Sequence, residues 1–265
     1  MDLDTVTSVR AARSRSDLVL APGETVLGGG TWLFSEPQPS VSGLVDLTSL
    51  GWAPITISDE TLSIAATCTI AQLAALDSRP DWLAHPLIRE CCESLLGSFK
   101  IWNVATVGGN ICLALSAAPL SALAVALDAT AVLWGPYDSE RRIPVADFVV
   151  GAQQTALDPG EVMRSIEIPL GAMRSHVGFR RIALSPLGRT GAMVIVRHSR
   201  GETVFTVAGG TLRPHQLRFA GLPTTADLTT AITALDDWFD DAHGSVDWRR
   251  AMSVRFALQL RDELT

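Results

Sequence analysis

The 265-residue chain is 47% hydrophobic and 18% charged, with a formal net charge of −7. That size supports a substantial core and more than one domain, and the acidic balance excludes nucleic acid and anionic membrane surfaces as expected partners. Met1-Asp2-Leu3-Asp4 lacks a basic segment ahead of an apolar run, and no stretch is long and apolar enough to span a bilayer, so the expected location is cytoplasmic.

In chain order, short strands are predicted near Thr25 to Leu27, Gly43 to Leu47 and Ile55 to Ile64, the last folded at a Ser58-Asp59-Glu60 turn. A helix begins after Thr69, an N-cap ahead of Ile70, Leu73 and Leu76. The next runs from Pro86 to Gly97, a first-turn proline and a terminal glycine bounding apolar positions at helical spacing, which makes Cys91 and Cys92 packing residues. With Cys68 and Cys112 they show no C-x-x-C spacing, so reduced core cysteines are expected rather than a zinc or iron–sulfur site in this chain. Ala117 to Asp128 is apolar nearly all round, as for a helix buried on every side, with Pro119 in its first turn. Strands follow at Ala131 to Trp134 and Val162 to Ile168, set off by Gly135-Pro136 and Asp158-Pro159-Gly160 turns.

Near Pro169 the pattern becomes an antiparallel meander: Val177 to Leu184, Ala192 to His198 and Thr203 to Ala208, with Ser199-Arg200-Gly201 turning the last pair. Two helices finish the chain. The first spans Thr225 to Asp241, with Asp236-Asp237 and Asp240-Asp241 on a solvated face; the second spans Val246 to Leu264, with Trp248, Met252, Phe256 and Leu260 on one stripe. The expected class is α+β in two domains, residues 1–172 and 173–265, without repeats or a low-complexity linker.

Two clusters carry the chemistry. Gly28-Gly29-Gly30-Thr31 and Thr106-Val107-Gly108-Gly109-Asn110 each place small residues where backbone N–H groups can converge on an anion without a Cβ in the way. Together they suggest a phosphorylated cofactor. Lys100 is the only lysine, so no lysine-based phosphate cradle forms; the P-loop pattern and the Rossmann fingerprint are both absent. His85, His176, His198, His215 and His243 show no ligand spacing, and no Gly-x-Ser-x-Gly nucleophile elbow occurs.

The block Ser98-Phe99-Lys100-Ile101-Trp102-Asn103-Val104-Ala105-Thr106-Val107-Gly108-Gly109-Asn110 precedes Ala126-Leu127-Asp128-Ala129, Ile143-Pro144-Val145-Ala146-Asp147-Phe148 and Gly160-Glu161 to Ile168-Pro169. In this order, and with Thr206-Val207-Ala208-Gly209-Gly210 to Pro214 behind, it resembles the FAD-binding medium subunit of molybdenum hydroxylases, the xanthine dehydrogenase and carbon monoxide dehydrogenase family. The resemblance covers nearly the whole chain. It implies a two-part FAD-binding domain of the PCMH type followed by a C-terminal domain of antiparallel sheet plus helices.

It also implies roles for particular residues. Val26, Leu27, Gly28, Gly29, Gly30, Thr31, Trp32 and Leu33 would wrap the FAD diphosphate, with Thr106, Val107, Gly108, Gly109 and Asn110 as the second wall. Leu96 and Gly97 would touch the dinucleotide, Met163 would flank the flavin and Arg180 would supply a nearby cation. Trp32 reads equally as a cover over the flavin edge or as packing beneath the loop. Three positions depart from many relatives: Lys100 replaces a glutamine, Trp102 an arginine, and Pro119 an aspartate that contacts FAD. A hydrogen bond lost at Pro119 would weaken binding by about 0.5–1.5 kcal/mol unless replaced.

The implied function is electron transfer in a heterotrimeric oxidoreductase. A large subunit would hold the molybdenum cofactor, a small subunit the 2Fe-2S clusters, and this chain would pass electrons through FAD to NAD, oxygen or a quinone. The alternatives are a structural or assembly subunit with weakened FAD binding, and a self-contained flavin oxidase, which the single tyrosine, Tyr137, in an apparent turn does not favour.

Overall fold

The computed structural model describes residues 3–199 and 201–265. Strands β1 (Ser8–Ala11), β2 (Glu24–Leu27) and β3 (Gly43–Asp46) form a parallel sheet in the order β1-β3-β2. β1 is missing from the sequence reading because its residues are mostly exposed and carry no apolar alternation. Val45 of the central strand packs with Ala12, Leu18, Leu47 and Val162 in a small core of its own.

A second sheet is antiparallel. Its members are β4 (Ile55–Ile57), β5 (Thr61–Ala65), β6 (Thr130–Trp134), β7 (Glu140–Pro144) and, beyond the short ribbon of β8 (Val149–Gly151) and β9 (Gln154–Thr155), β10 (Val162–Pro169). The order is β4-β5-β10-β6-β7, with β10 in the middle. Helices α1 (Ile70–Ala74), α2 (His85–Ser94), α3 (Phe99–Trp102), α4 (Val107–Leu113), α5 (Pro119–Ala126), α6 (Val145–Phe148) and α7 (Leu170–Met173) accompany it. Thr69 caps α1 as expected, its hydroxyl accepting the Gln72 N–H at 3.2 Å.

The C-terminal sheet runs in sequence order: β11 (His176–Ile182), β12 (Ala192–Ser199), β13 (Glu202–Ala208) and β14 (His215–Phe219), all antiparallel. Helices α8 (Thr225–Thr233) and α9 (Val246–Asp262) pack together, and α9 lies on β12. The turn read at Ser199-Arg200-Gly201 includes Arg200, which lies outside the described residues, as do Met1 and Asp2.

α5 joins the layers. All eight of its residues are buried, as its sequence predicted, because it lies between α2 and α4 on one side and β12 and β13 on the other. Its alanines let neighbours approach, while Leu120, Leu123 and Val125 each contribute about 1.5–3 kcal/mol of burial. At its end Asp128, in the left-handed region at φ 53°, pairs with Arg197 and Arg218 and accepts from Gln216 Nε2 at 2.8 Å. Arg197 Nε also donates to the Ala126 carbonyl at 3.0 Å, so the C-terminal sheet is bonded to the helix it covers.

One predicted helix is shorter than expected. α8 stops at Thr233, and the chain turns to bond with the segment after β13: Leu212 N–H donates to Asp237 O and Phe239 N–H to Gly210 O, both at 2.8 Å. The acidic pairs are therefore not a solvated helix face. Asp237 takes His215 at 2.7 Å and Asp241 takes Arg249 at 2.5 Å.

Candidate FAD diphosphate site

β2 delivers the first glycine cluster. Its starting residue, Glu24, is paired with Arg10 through two hydrogen bonds of 2.8 Å, and these hold the Glu24 carboxyl down at about 2. Past Leu27, whose carbonyl accepts the Leu47 N–H at 2.9 Å, the chain leaves the sheet. From Gly28 to Leu33 not one backbone N–H bonds to a described residue, although Phe34 N–H returns to Gly30 O at 2.9 Å and Ser35 N–H to Trp32 O at 2.8 Å. Two carbonyls of the loop are thus used within the chain while its N–H groups have no partner among the described residues, as an anion site needs. Gly30 holds φ 68°, which a side chain would resist.

The loop rests directly on the second cluster. A Cβ on Gly28 would lie 3.0 Å from Thr106 Oγ1, and one on Gly29 would collide with the Val104 carbonyl. The tertiary fold therefore brings together two segments that the sequence separates by more than seventy residues.

The second cluster is not the loop the sequence suggested. Thr106 is the N-cap of α4, its Oγ1 accepting Gly109 N–H at 3.0 Å. Val107 N–H donates to Cys68 O at 2.8 Å, Gly108 N–H to Ala66 O at 2.9 Å and Asn110 N–H to Thr106 O at 3.0 Å. The expectation that backbone donors converge from both clusters is corrected here: in the second cluster these N–H groups are bonded within the chain. What it presents instead is side chains. Thr106 Oγ1 is used as an acceptor, so its proton remains for an outside acceptor. Asn110 Oδ1 accepts the Leu120 N–H at 3.1 Å, which turns the carboxamide so that its NH₂ is free to donate.

Exposed apolar side chains border this polar floor. Trp32 keeps 37% of its surface exposed and belongs to none of the core clusters. Phe34, just past the glycine loop, and Leu96, Ile101 and Val104, ahead of α4, are also exposed. Gly97 lies against Ile101, and the turn holding Leu96 and Gly97 is fixed by Gly97 N–H and Trp102 Nε1, which both donate to Leu95 O, at 2.7 and 3.2 Å. Trp102 is a packing residue here, joined to the main core.

Pro119 occupies the first turn of α5 behind Ala118, which offers no side-chain cap, and Asn110 supplies the missing acceptor. Met163 is buried in β10 with its sulfur 3.9 Å from Cys112 Sγ of α4, so it supports that helix from behind. Arg180 lies in β11, paired with Glu263 and donating to Phe179 O at 2.8 Å. Among the described residues no cluster of His, Cys, Asp or Glu could hold a metal, and no helix is long and apolar enough to cross a membrane. Open N–H groups over a neutral donor floor with an apolar rim fit a dinucleotide, whose diphosphate is anionic and whose rings are apolar. Of the contacts that sequence reasoning missed, Gly29 on Val104 joins segments far apart in the chain, and Asn110 on Leu120 spans the α4–α5 turn, whose course the local pattern does not give.

The family described as FAD binding domain in molybdopterin dehydrogenase matches residues 4–171. The alpha subunit of the 6-hydroxypseudooxynicotine dehydrogenase complex of Paenarthrobacter nicotinovorans is 31% identical over 160 residues, 54% of this chain and 49% of that protein. The carbon monoxide dehydrogenase medium chain of Hydrogenophaga pseudoflava is 27% identical over 186 residues, 63% of each. The matches thus span about half to two thirds of these two relatives. In fold, the chain resembles reconstituted CO dehydrogenase from Oligotropha carboxidovorans at TM-score 0.84 and 22% identity, covering 99% of this chain and 98% of that one. It resembles quinoline 2-oxidoreductase from Pseudomonas putida 86 at TM-score 0.79 and 22% identity, covering 99% of both.

Proposed function

This chain belongs to the family of FAD-binding domains in molybdopterin dehydrogenases, and from that premise we propose that it is the FAD-binding electron-transfer subunit of a molybdenum hydroxylase complex. The observation that carries the reading is the Gly28 to Leu33 loop, whose backbone N–H groups have no partner among the described residues and whose Gly28 packs against Thr106 of the second cluster. Bound FAD would supply the one- and two-electron chemistry that links a metal-cluster donor to a two-electron acceptor. The chain's own residues bind and orient. Gly28, Gly29, Gly30, Thr31, Trp32 and Leu33 offer backbone N–H groups to the diphosphate, and Thr106 and Asn110 add a hydroxyl and a carboxamide. Val26 and Leu27 anchor the loop to its sheet, Val107, Gly108 and Gly109 form the helix turn beneath it, and Leu96 and Gly97 lie on the rim. Met163, expected beside the flavin, lies against Cys112 of α4, and Arg180, expected as a nearby cation, is paired with Glu263.

On this reading the chain divides near residue 172, the first part holding the cofactor and the second covering it. Electrons arrive from an iron–sulfur subunit, fed by a subunit with the molybdenum cofactor, and leave to an external acceptor such as NAD, oxygen or a quinone. A second reading, a structural or assembly subunit, is favoured by the internally bonded N–H groups of α4 and by Pro119. The visible spectrum of the natively purified chain with its partners decides between them. FAD released by acid at near-unit occupancy is expected; a folded, partner-bound chain without flavin would leave the structural role standing.

A further inference from the structure

The segment between β11 and β12 reaches from the C-terminal sheet to the turn between α4 and α5. There Arg189 Nη2 donates to Ser116 Oγ at 3.3 Å, and Ser116 is buried. Arg189 is itself held in place. Its Nη1 lies 3.9 Å from Asp241 Oδ2, while Asp241 Oδ1 accepts from Arg249 Nη2 at 2.5 Å and from His243 N–H at 2.8 Å. Arg249 is fully buried and donates to the carbonyls of Gly191, Gly209 and Gly244 at 2.7 to 2.8 Å. A line of charged groups therefore starts at α9 and ends on the α4–α5 turn.

That turn joins α4, which carries Asn110, to α5, which carries Leu120. Ala114 closes α4 in the left-handed region at φ 50°, its carbonyl accepts Gln153 N–H at 2.7 Å, and Ala118 N–H bonds Leu115 O at 2.8 Å. Its course sets how α5 begins against α4, and that junction is where Leu120 N–H fixes the Asn110 carboxamide. Ser116 is the point at which the C-terminal part of the chain grips it.

We propose that Arg189 is a positioning residue for the cofactor: by holding Ser116 it sets the α4–α5 turn, and through the turn the direction in which Asn110 donates to the diphosphate. The inference rests on the reading that FAD binds over the Gly28 loop and α4. It assigns to Arg189 the influence that the sequence suggested for Arg180, whose guanidinium is paired with Glu263.

The test is FAD titration of the flavin-stripped full-length chain, followed by quenching of flavin fluorescence, with the melting temperature of each cofactor-free variant beside it. R189A is expected to bind FAD about tenfold more weakly, because the α4–α5 turn loses its hold and Asn110 its aim, with little change in melting temperature. S116A, which removes only the acceptor, is expected to match it, and the double variant to be no weaker than either single one, because both delete the same contact. R189K is expected to recover most of the affinity, and R180A to bind as the parent does. Parent-like affinity in R189A and S116A, additive losses in the double variant, or an equal loss in R180A would overturn the proposal. A parent chain without FAD affinity would instead defeat the underlying site assignment.

Discussion

Asn110 accepts the backbone N–H of Leu120 through Oδ1 at 3.1 Å, so one side chain caps α5 and keeps its amide nitrogen free to donate. The two halves of this carboxamide can be separated by mutation. Asn110→Asp keeps the acceptor but replaces the donor with a negative charge, so FAD binding is expected to fall by at least tenfold while the fold persists. Asn110→Ala also leaves Leu120 N–H without a partner and is expected to cost about 1–2 kcal/mol of stability. Denaturation midpoints and FAD titrations of both variants check this; similar midpoints for the two would refute the capping role.

The two glycines of α4 are expected to behave differently. A Cβ on Gly108 would lie 2.5 Å from Ala66 Cβ and close to backbone, so Gly108→Ala should destabilise the fold by about 1–3 kcal/mol. At Gly109 the only atom within 4 Å is Thr106 Oγ1, at 2.9 Å, and the position is exposed. Gly109→Val should therefore remove FAD and change stability by only about 1 kcal/mol. Unchanged flavin content in Gly109→Val would count against a diphosphate at that turn.

Glu24 predicts an acid sensitivity at the base of the loop. Arg10 holds its carboxyl at about 2, below the ordinary 4.5. A carboxyl lowered in the folded state stabilises fully above its unfolded value, and that contribution is lost as pH falls from about 4.5 toward 2. The urea midpoint of the parent should exceed that of Glu24→Gln at pH 7, with the gap narrowing below about 4.5 and closing only toward pH 2. A gap that stays constant across that range would show that the pair does not stabilise the fold.

Burial pushes the thiols of Cys68, Cys92 and Cys112 up to about 12, and that of Cys91 well above its usual value. A thiolate is the reactive form, so alkylation of the native protein near pH 8 should be negligible, and all four should label in denaturant. Rapid native labelling at any of these positions would place it nearer solvent than the packing allows.

Local chemistry made much of this readable. Thr69 ahead of Ile70, Leu73 and Leu76 marks a helix start, and the run Ala117 to Asp128, apolar nearly all round, reads as a helix covered on every side; the structure has α5 at Pro119–Ala126 with all eight residues buried. The α4 helix went unread because Gly108 and Gly109 are poor helix formers; packing on Ala66 and the Thr106 cap override that preference. The predicted helix runs past Thr233 because its polar pattern continues there, while bonds from Leu212 N–H to Asp237 O and from Phe239 N–H to Gly210 O draw the chain after α8 onto the segment behind β13.

The sequence by itself determined where backbone could approach an anion closely, because only glycine leaves that space, and which residues could supply neutral donors around it. It also carried the ordered motifs that identify the family. Only the tertiary structure decided which donors stay open. The N–H groups of Val107 and Gly108 are taken by Cys68 and Ala66, those of Gly28 to Leu33 are left free, and Asn110 is aimed by Leu120. Hydrogen-bond partners come from segments far apart in the chain, and their choice follows from how the layers pack.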